Sequence, residues 1–150
     1  MSVKDYVTVR VGGQLFGLEA LSVQDIFYPR NITPVPLAAS EILGVLNLRG
    51  RIVTAVCARK RLSVPERGPG DPEPKAVGIE IGGDNYGLVV DHVEEVVKLD
   101  SDHMISPPNN LPSRWAEIIQ GVFRLPGELL VVFDAKRLLT SEVGLVGAVA

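Results

Sequence analysis

The chain repeats itself at a fixed spacing, and the repeat limits what it can fold into. Gly12-Gly13-Gln14-Leu15-Phe16-Gly17-Leu18 lies 70 residues before Gly82-Gly83-Asp84-Asn85-Tyr86-Gly87-Leu88. Val23 and Ile26 match Val93 and Val96 at the same offset. A second likeness runs at an offset of 77, between residues 44–57 and 121–134. There Gly44, Val45, Leu48 and Gly50 match Gly121, Val122, Leu125 and Gly127. Each stretch is an apolar run, a turn and a second apolar run. That is the pattern of a β-hairpin, with Gly50 and Gly127 as the structural turn residues, because glycine takes positive φ without steric cost. The tips differ: Arg49 stands in the first and Pro126 in the second. The hairpin shape therefore does not require an arginine there.

Strands fill in around these fixed points. Residues 5–11 alternate, with Val7, Val9 and Val11 on one side and Tyr6, Thr8 and Arg10 on the other, which predicts a half-buried strand. Strands follow at 14–19 and 23–28, then a proline-rich loop over 29–40, the first hairpin, and a short helical stretch at 58–62. Residues 63–74 hold Pro65, Pro69, Pro72 and Pro74 and read as a linker. The pattern then restarts, with strands at 76–81, 85–90 and 93–99. An irregular connection over 100–120 carries a helical turn near Trp115 and Ile118, and the second hairpin and residues 135–139 close the unit. Two copies of about five strands predict a mainly β fold of two small five-stranded barrels, with short helices. Each copy is near 60 residues, too few for much core of its own, so the two are expected to share one. The expected division is a first subdomain over about 14–62 with contributions from 135–150, a linker at 63–74, and a second subdomain over about 5–12 and 75–134.

Composition narrows the function classes. Of 150 residues, 46% are hydrophobic and 22% charged, and the formal net charge is −3, so nucleic-acid binding through overall charge is not expected. Residues 1–62 carry a balance of +4 and residues 76–139 one of −5, which suggests end-to-end contact between basic and acidic faces. The start of the chain lacks a basic region followed by an apolar core, and no apolar run, the 143–150 tail included, nears the roughly 20 residues that span a bilayer. A cytoplasmic protein is expected.

Little in the chain points to catalysis. Cys57 with His92 or His103 is a weak nucleophile–base pairing, because the cysteine falls in an apolar strand. No histidine and carboxylate spacing matches a metal-ligand pattern, and the Gly-Gly pairs are strand turns without the lysine and helix of a phosphate loop. The expectation is no catalytic residue, no metal and no cofactor. The rival to a protein-binding role is a β-barrel nucleic-acid module using the basic cluster over 49–61. Its weakness is a chain only 5% aromatic, with few rings to stack on bases.

Gly44-Val45-Leu46-Asn47-Leu48-Arg49-Gly50, with Phe16-Gly17-Leu18 and Val23-Gln24-Asp25-Ile26 before it, resembles the CheW family, the coupling proteins of bacterial chemotaxis arrays. The similarity runs from about Val7 to Leu139. The resemblance implies two five-stranded SH3-like barrels around a common core, and an adaptor that works by binding alone. It implies two partners at membrane receptor arrays: the cytoplasmic tip of a chemoreceptor (a methyl-accepting chemotaxis protein) and the regulatory domain of a CheA-type histidine kinase. Kinase-contact positions carry over to Val23, Asp25 and Arg49, with Asp25 where the family more often has Glu. Receptor-contact positions carry over to Ala20, Gly44, Arg49 and Val96. The chain departs from the family after the signature, where Thr54, Cys57 and Ala58 stand in place of the usual Pro, Asp and Leu, while Asp134 keeps the acid in the second copy.

Overall fold

The computed structural model describes residues 2–65, 68, 70–107, 109–110 and 113–140. Its strands are β1 (Val3–Val11), β2 (Gln14–Glu19), β3 (Val23–Phe27), β4 (Ile42–Leu48), β5 (Arg51–Cys57), β6 (Lys75–Ile81), β7 (Asp84–Val90), β8 (His92–Asp100), β9 (Ile119–Leu125) and β10 (Glu128–Phe133). Among the described residues, three short α-helices accompany them, α1 (Ala58–Arg61), α2 (Ser113–Ile118) and α3 (Ala135–Thr140), with single 3-10 turns at Ala20–Ser22 and Ser101–His103. The strands form two five-stranded sheets. Sheet I runs β8-β1-β2-β10-β9 and sheet II runs β3-β6-β7-β5-β4. The mainly β fold and the two five-stranded units read from the repeat are the observed architecture.

The two sheets are copies of each other, residue for residue. Val11 pairs Gln14 and Ile81 pairs Asp84 at the ends of the two Gly-Gly hairpins, 70 residues apart. Leu130 pairs Leu15 in parallel in sheet I, and Val53 pairs Asn85 in parallel in sheet II. The same register shift interrupts β8 against β1 and β3 against β6.

The copies exchange strands, however, so the expected subdomain ranges do not describe the sheets. The hairpin β1–β2 joins β8, β9 and β10, and the hairpin β6–β7 joins β3, β4 and β5. Thus residues 14–19 lie with 3–11 in sheet I, and residues 75–90 lie in sheet II. The cause is the shortness of two links. One residue, Asp91, separates β7 from β8, and the single turn Ala20–Ser22 separates β2 from β3. Neither link returns a strand to the edge of its own sheet, so the chain runs on into the neighbouring one. Of the linker expected over 63–74, Glu66, Arg67 and Pro69 lie outside the described residues, as do Pro108, Pro112 and the 141–150 tail.

Exchange also explains the core. A cluster with Tyr6, Leu15, Phe123, Leu130 and Val132 fills the interior of sheet I, and Leu46, Val53, Ala55, Ala76 and Val89 fill that of sheet II. A third and larger cluster lies between them and draws Val9, Phe16 and Phe133 from one side and Val56, Ile79 and Leu88 from the other. Strand β1 is buried on both faces as a result. Tyr6 and Thr8, expected on an open side, are 1% and 2% exposed. Helices α1 and α3 seal the shared cluster with Ala58, Leu138 and Leu139.

Candidate functional site

The first hairpin turns at Arg49-Gly50, between the paired residues Leu48 and Arg51. Both turn residues have positive φ, 51° and 87°, the type I′ geometry that suits the twist of two antiparallel strands. Asn47 helps to hold the turn, its Oδ1 accepting from the Gly50 amide at 2.9 Å. The second hairpin turns at Pro126-Gly127 with positive φ at Gly127 alone, 81°, a type II arrangement. The first tip therefore keeps a bulky residue in a left-handed conformation that the second tip avoids.

That residue is open to solvent, its side chain 75% exposed. Arg49 Nη1 stands 3.8 Å from Asp25 Oδ2, and Arg51 Nη2 stands closer, at 3.2 Å. Arg51 also donates to Gln24 Oε1 at 3.2 Å, and Gln24 Nε2 donates to Glu80 at 3.2 Å. The expected kinase residues Asp25 and Arg49 thus share one face of sheet II. Two residues of that face, Arg51 and Gln24, were absent from the expected set.

The other expected residues divide. Val23 is half-buried and packs on the shared cluster, as does Ala20, while Ile26 beside it is exposed. Val96, the repeat equivalent of Ile26, is 58% exposed on β8, and its neighbour Val93 packs on the same shared cluster as Val23. Gly44 is not a turn residue. It lies buried inside β4 with φ at 145°, and a Cβ there would collide with the Thr33 carbonyl, whose segment bridges to Val45. Its part is to admit that crossing segment, and it offers no surface to a partner. An apolar groove lies elsewhere, along the second hairpin, lined by Ile105, Trp115, Ile119, Val122, Leu129 and Val131.

The basic cluster over 49–61 is dispersed by the fold. Arg49 and Arg51 stand at one end of β5 and α1 stands at the other. Arg61 is fully buried and donates to the Leu138 carbonyl at 2.9 Å. Arg59 pairs with the buried Asp91 at 2.6 Å and donates to the Pro65 carbonyl, and the Asp91 hydrogen bond holds its pKa above the ordinary arginine value. A nucleic-acid backbone would need these cations on one open face. Strand exchange likewise mixes the charge contrast between chain halves, since acidic β8 lies against the Arg10 strand, and Glu80 and Asp84 lie in the sheet of Arg51. Among the described residues no group of His, Cys, Asp and Glu is placed to hold a metal ion. No helix there is long and apolar enough to cross a membrane.

In sheet I the equivalent face is charge-reversed. Arg10 takes the place of Glu80, and Glu94 and Glu128 take those of Gln24 and Arg51. Arg10 donates to Glu94 at 2.8 Å and to Glu128 at 2.9 and 3.0 Å. These bonds lower the Glu128 pKa from its ordinary 4.5. A carboxyl lowered in the folded state stabilises fully above the unfolded value, and that stabilisation is lost as pH falls through the folded value. At low salt, Arg10→Ala should therefore flatten the fall in melting midpoint between about pH 5 and about pH 3, with little effect at high salt. An unchanged slope would show that the network is energetically silent.

The comparisons agree with this layout. The model of the CheW-like domain matches residues 5–143. The chain is 26% identical over 139 residues to the chemotaxis protein CheW of Treponema pallidum (strain Nichols), covering 91% of this chain and 82% of that one. It is 28% identical over 142 residues to the chemotaxis protein CheW of Rhizobium meliloti (strain 1021), covering 93% and 89%. The crystal structure of the scaffolding protein TtCheW from Thermoanaerobacter tengcongensis has the same fold, with a TM-score of 0.84 at 24% identity over 95% of this chain and 91% of that one. With nearly its whole described fold inside the matched span, this chain belongs to the CheW-like domain family.

Proposed function

We propose that the chain is a cytoplasmic adaptor that couples chemoreceptor tips to a CheA-type histidine kinase at membrane receptor arrays, by binding and without catalysis. The observation that carries this reading is Arg49. Its guanidinium is exposed, and it occupies a backbone conformation that costs a non-glycine residue about 1–2 kcal/mol. The equivalent turn does without it, so packing does not account for its presence. An exposed arginine held on a rigid turn suits recognition of a carboxylate on a partner.

On this reading the kinase face comprises Asp25 and Arg49, with Val23 holding β3 in place from the shared cluster. The receptor face uses the exposed apolar residue Val96 together with Arg49 and the half-buried Ala20. Ile26 belongs with Val96, since the two equivalent positions are both open apolar residues beside the shared core. Surface positions under no packing demand need not stay apolar in both copies, and a helix with an apolar face would cover them.

The test is co-sedimentation of the full chain with receptor-tip assemblies and the purified kinase regulatory domain. The parent chain should sediment with both. Asp25→Lys should weaken kinase association on the order of tenfold and also lower the melting midpoint, because the 22%-exposed Asp25 pairs with Arg51 and a lysine would set three cations together. Arg49→Glu, at the 75%-exposed tip, should weaken association with little change in melting midpoint. A parent chain that sediments with neither partner would remove the adaptor reading.

A further inference from the structure

The floor beneath Asp25 differs between the two halves. Gly78 on β6 pairs with Asp25 and is buried in extended strand. Its equivalent on β1 is Thr8, also buried, whose hydroxyl donates to the Glu95 carbonyl at 2.6 Å. The fold therefore accepts a β-branched residue at this place. Glycine inside a strand is less stable than a residue with a side chain to pack, and often marks a close approach by another group. Here the approaching group is the Asp25 carboxylate: a Cβ built on Gly78 would overlap Asp25 Oδ1 and come within 3.2 Å of its Cγ. The other oxygen, Oδ2, faces the two arginines.

We infer that Gly78 and Arg51 are positioning residues that seat the Asp25 carboxylate over β6 and so leave Arg49 free to pair with a carboxylate on the kinase domain. Gly78 gives the room. Arg51 supplies the nearer cation, steadied by the chain of hydrogen bonds through Gln24 to Glu80. With Asp25 engaged more closely by Arg51, Arg49 keeps only the looser 3.8 Å contact to Asp25 Oδ2 among the described residues, and its 75%-exposed guanidinium leaves donors open to a partner's carboxylate. This deepens the adaptor reading and rests on it.

Two measurements test it on the full chain. In the unbound protein, Gly78→Thr should lower the melting midpoint of the parent but raise it in an Asp25→Ala background, where the threonine has room. An equal shift in both backgrounds would show that no seat exists. With the purified kinase regulatory domain, Arg51→Ala should let Arg49 turn in to Asp25. Affinity should then fall on the order of tenfold, with a shallower dependence on salt. Arg51→Lys should restore both, and neither change should matter once Asp25 is alanine. Loss of affinity in Arg51→Ala that persists without Asp25 would overturn the assignment. A parent chain that does not bind the kinase domain would instead sink the adaptor reading, with the melting cycle still deciding the seat.

Discussion

Phe16→Ala should melt both sheets together and lower stability by about 3–5 kcal/mol, the usual range for emptying a buried aromatic site. Phe16 has no exposed surface. It stacks on Phe133 at 4.5 Å between ring centroids and meets Trp115 edge-on at 5.9 Å. It also lies in the cluster that both sheets bury, so the cavity weakens the joint between them as much as sheet I itself. For a domain of this size, the loss corresponds to a fall of roughly 10 °C in melting midpoint. Trp115 is the only tryptophan, so its fluorescence reports the shared cluster directly. In the variant its emission should change in the folded state, and its melting curve should coincide with that of the backbone signal by circular dichroism. Tyr86→Ala, at the equivalent but partly open position, should cost less. Two separated transitions in Phe16→Ala would mean that each sheet folds on its own core.

The strand pairing that builds that joint, rather than the shared core itself, is what a reading of the chain alone misses, and the reason lies in how strands find partners. Hairpin pairings are local: Gly12-Gly13 and Gly82-Gly83 announce their own turns, and the two later hairpins announce theirs. The parallel pairings of β2 with β10 and of β5 with β7 are not local, and nothing near Phe16 names Val131 as its neighbour. The offset of 70 fits two closed copies as well as two copies that exchange hairpins. Only the short links at Asp91 and at Ala20–Ser22 could have decided between them, and they read as an ordinary turn acid and a loose turn. Tyr6 and Thr8 follow the same logic, since alternation marks a strand with one open face and cannot show that distant strands of sheet I cover that face. Tyr6 lies in that sheet's own interior cluster, and Thr8 bonds the Glu95 carbonyl of β8. Gly44 resembles a framing turn glycine because of its place in the repeat, yet the constraint is the Thr33 segment crossing it, far from any local pattern. At the candidate site, Asp25 and Arg49 were legible through resemblance. Arg51 and Gly78 were not, although one signal was available: an internal repeat with Thr8 in one copy and Gly78 in the other marks a place where a side chain was given up.

Arg49→Asn should make the protein more stable and less useful at once. Asparagine tolerates the left-handed conformation, and Asn-Gly is the favoured pair for a two-residue type I′ turn. With φ at 51° and 87° already in place, the substitution relieves strain without moving the strands. Stability should rise by up to about 1 kcal/mol, seen as a higher melting midpoint. The Arg49 contact to Asp25 is lost in the exchange, but at 3.8 Å and 75% exposure it contributes little against solvent screening. Binding should move the other way. An arginine that anchors an interface typically contributes about 2–3 kcal/mol, so affinity for the kinase regulatory domain should fall roughly 100-fold. A purely structural residue cannot give this pair of results, because its loss would lower stability and binding together. Arg49→Lys separates charge from geometry: it keeps the cation and the strain but not the planar fork, and should recover only part of the affinity. If Arg49→Asn bound the kinase domain as tightly as the parent chain, the strained arginine would have no role at this interface, and the partner face would have to be sought on the exposed edges of β3 and β8 instead.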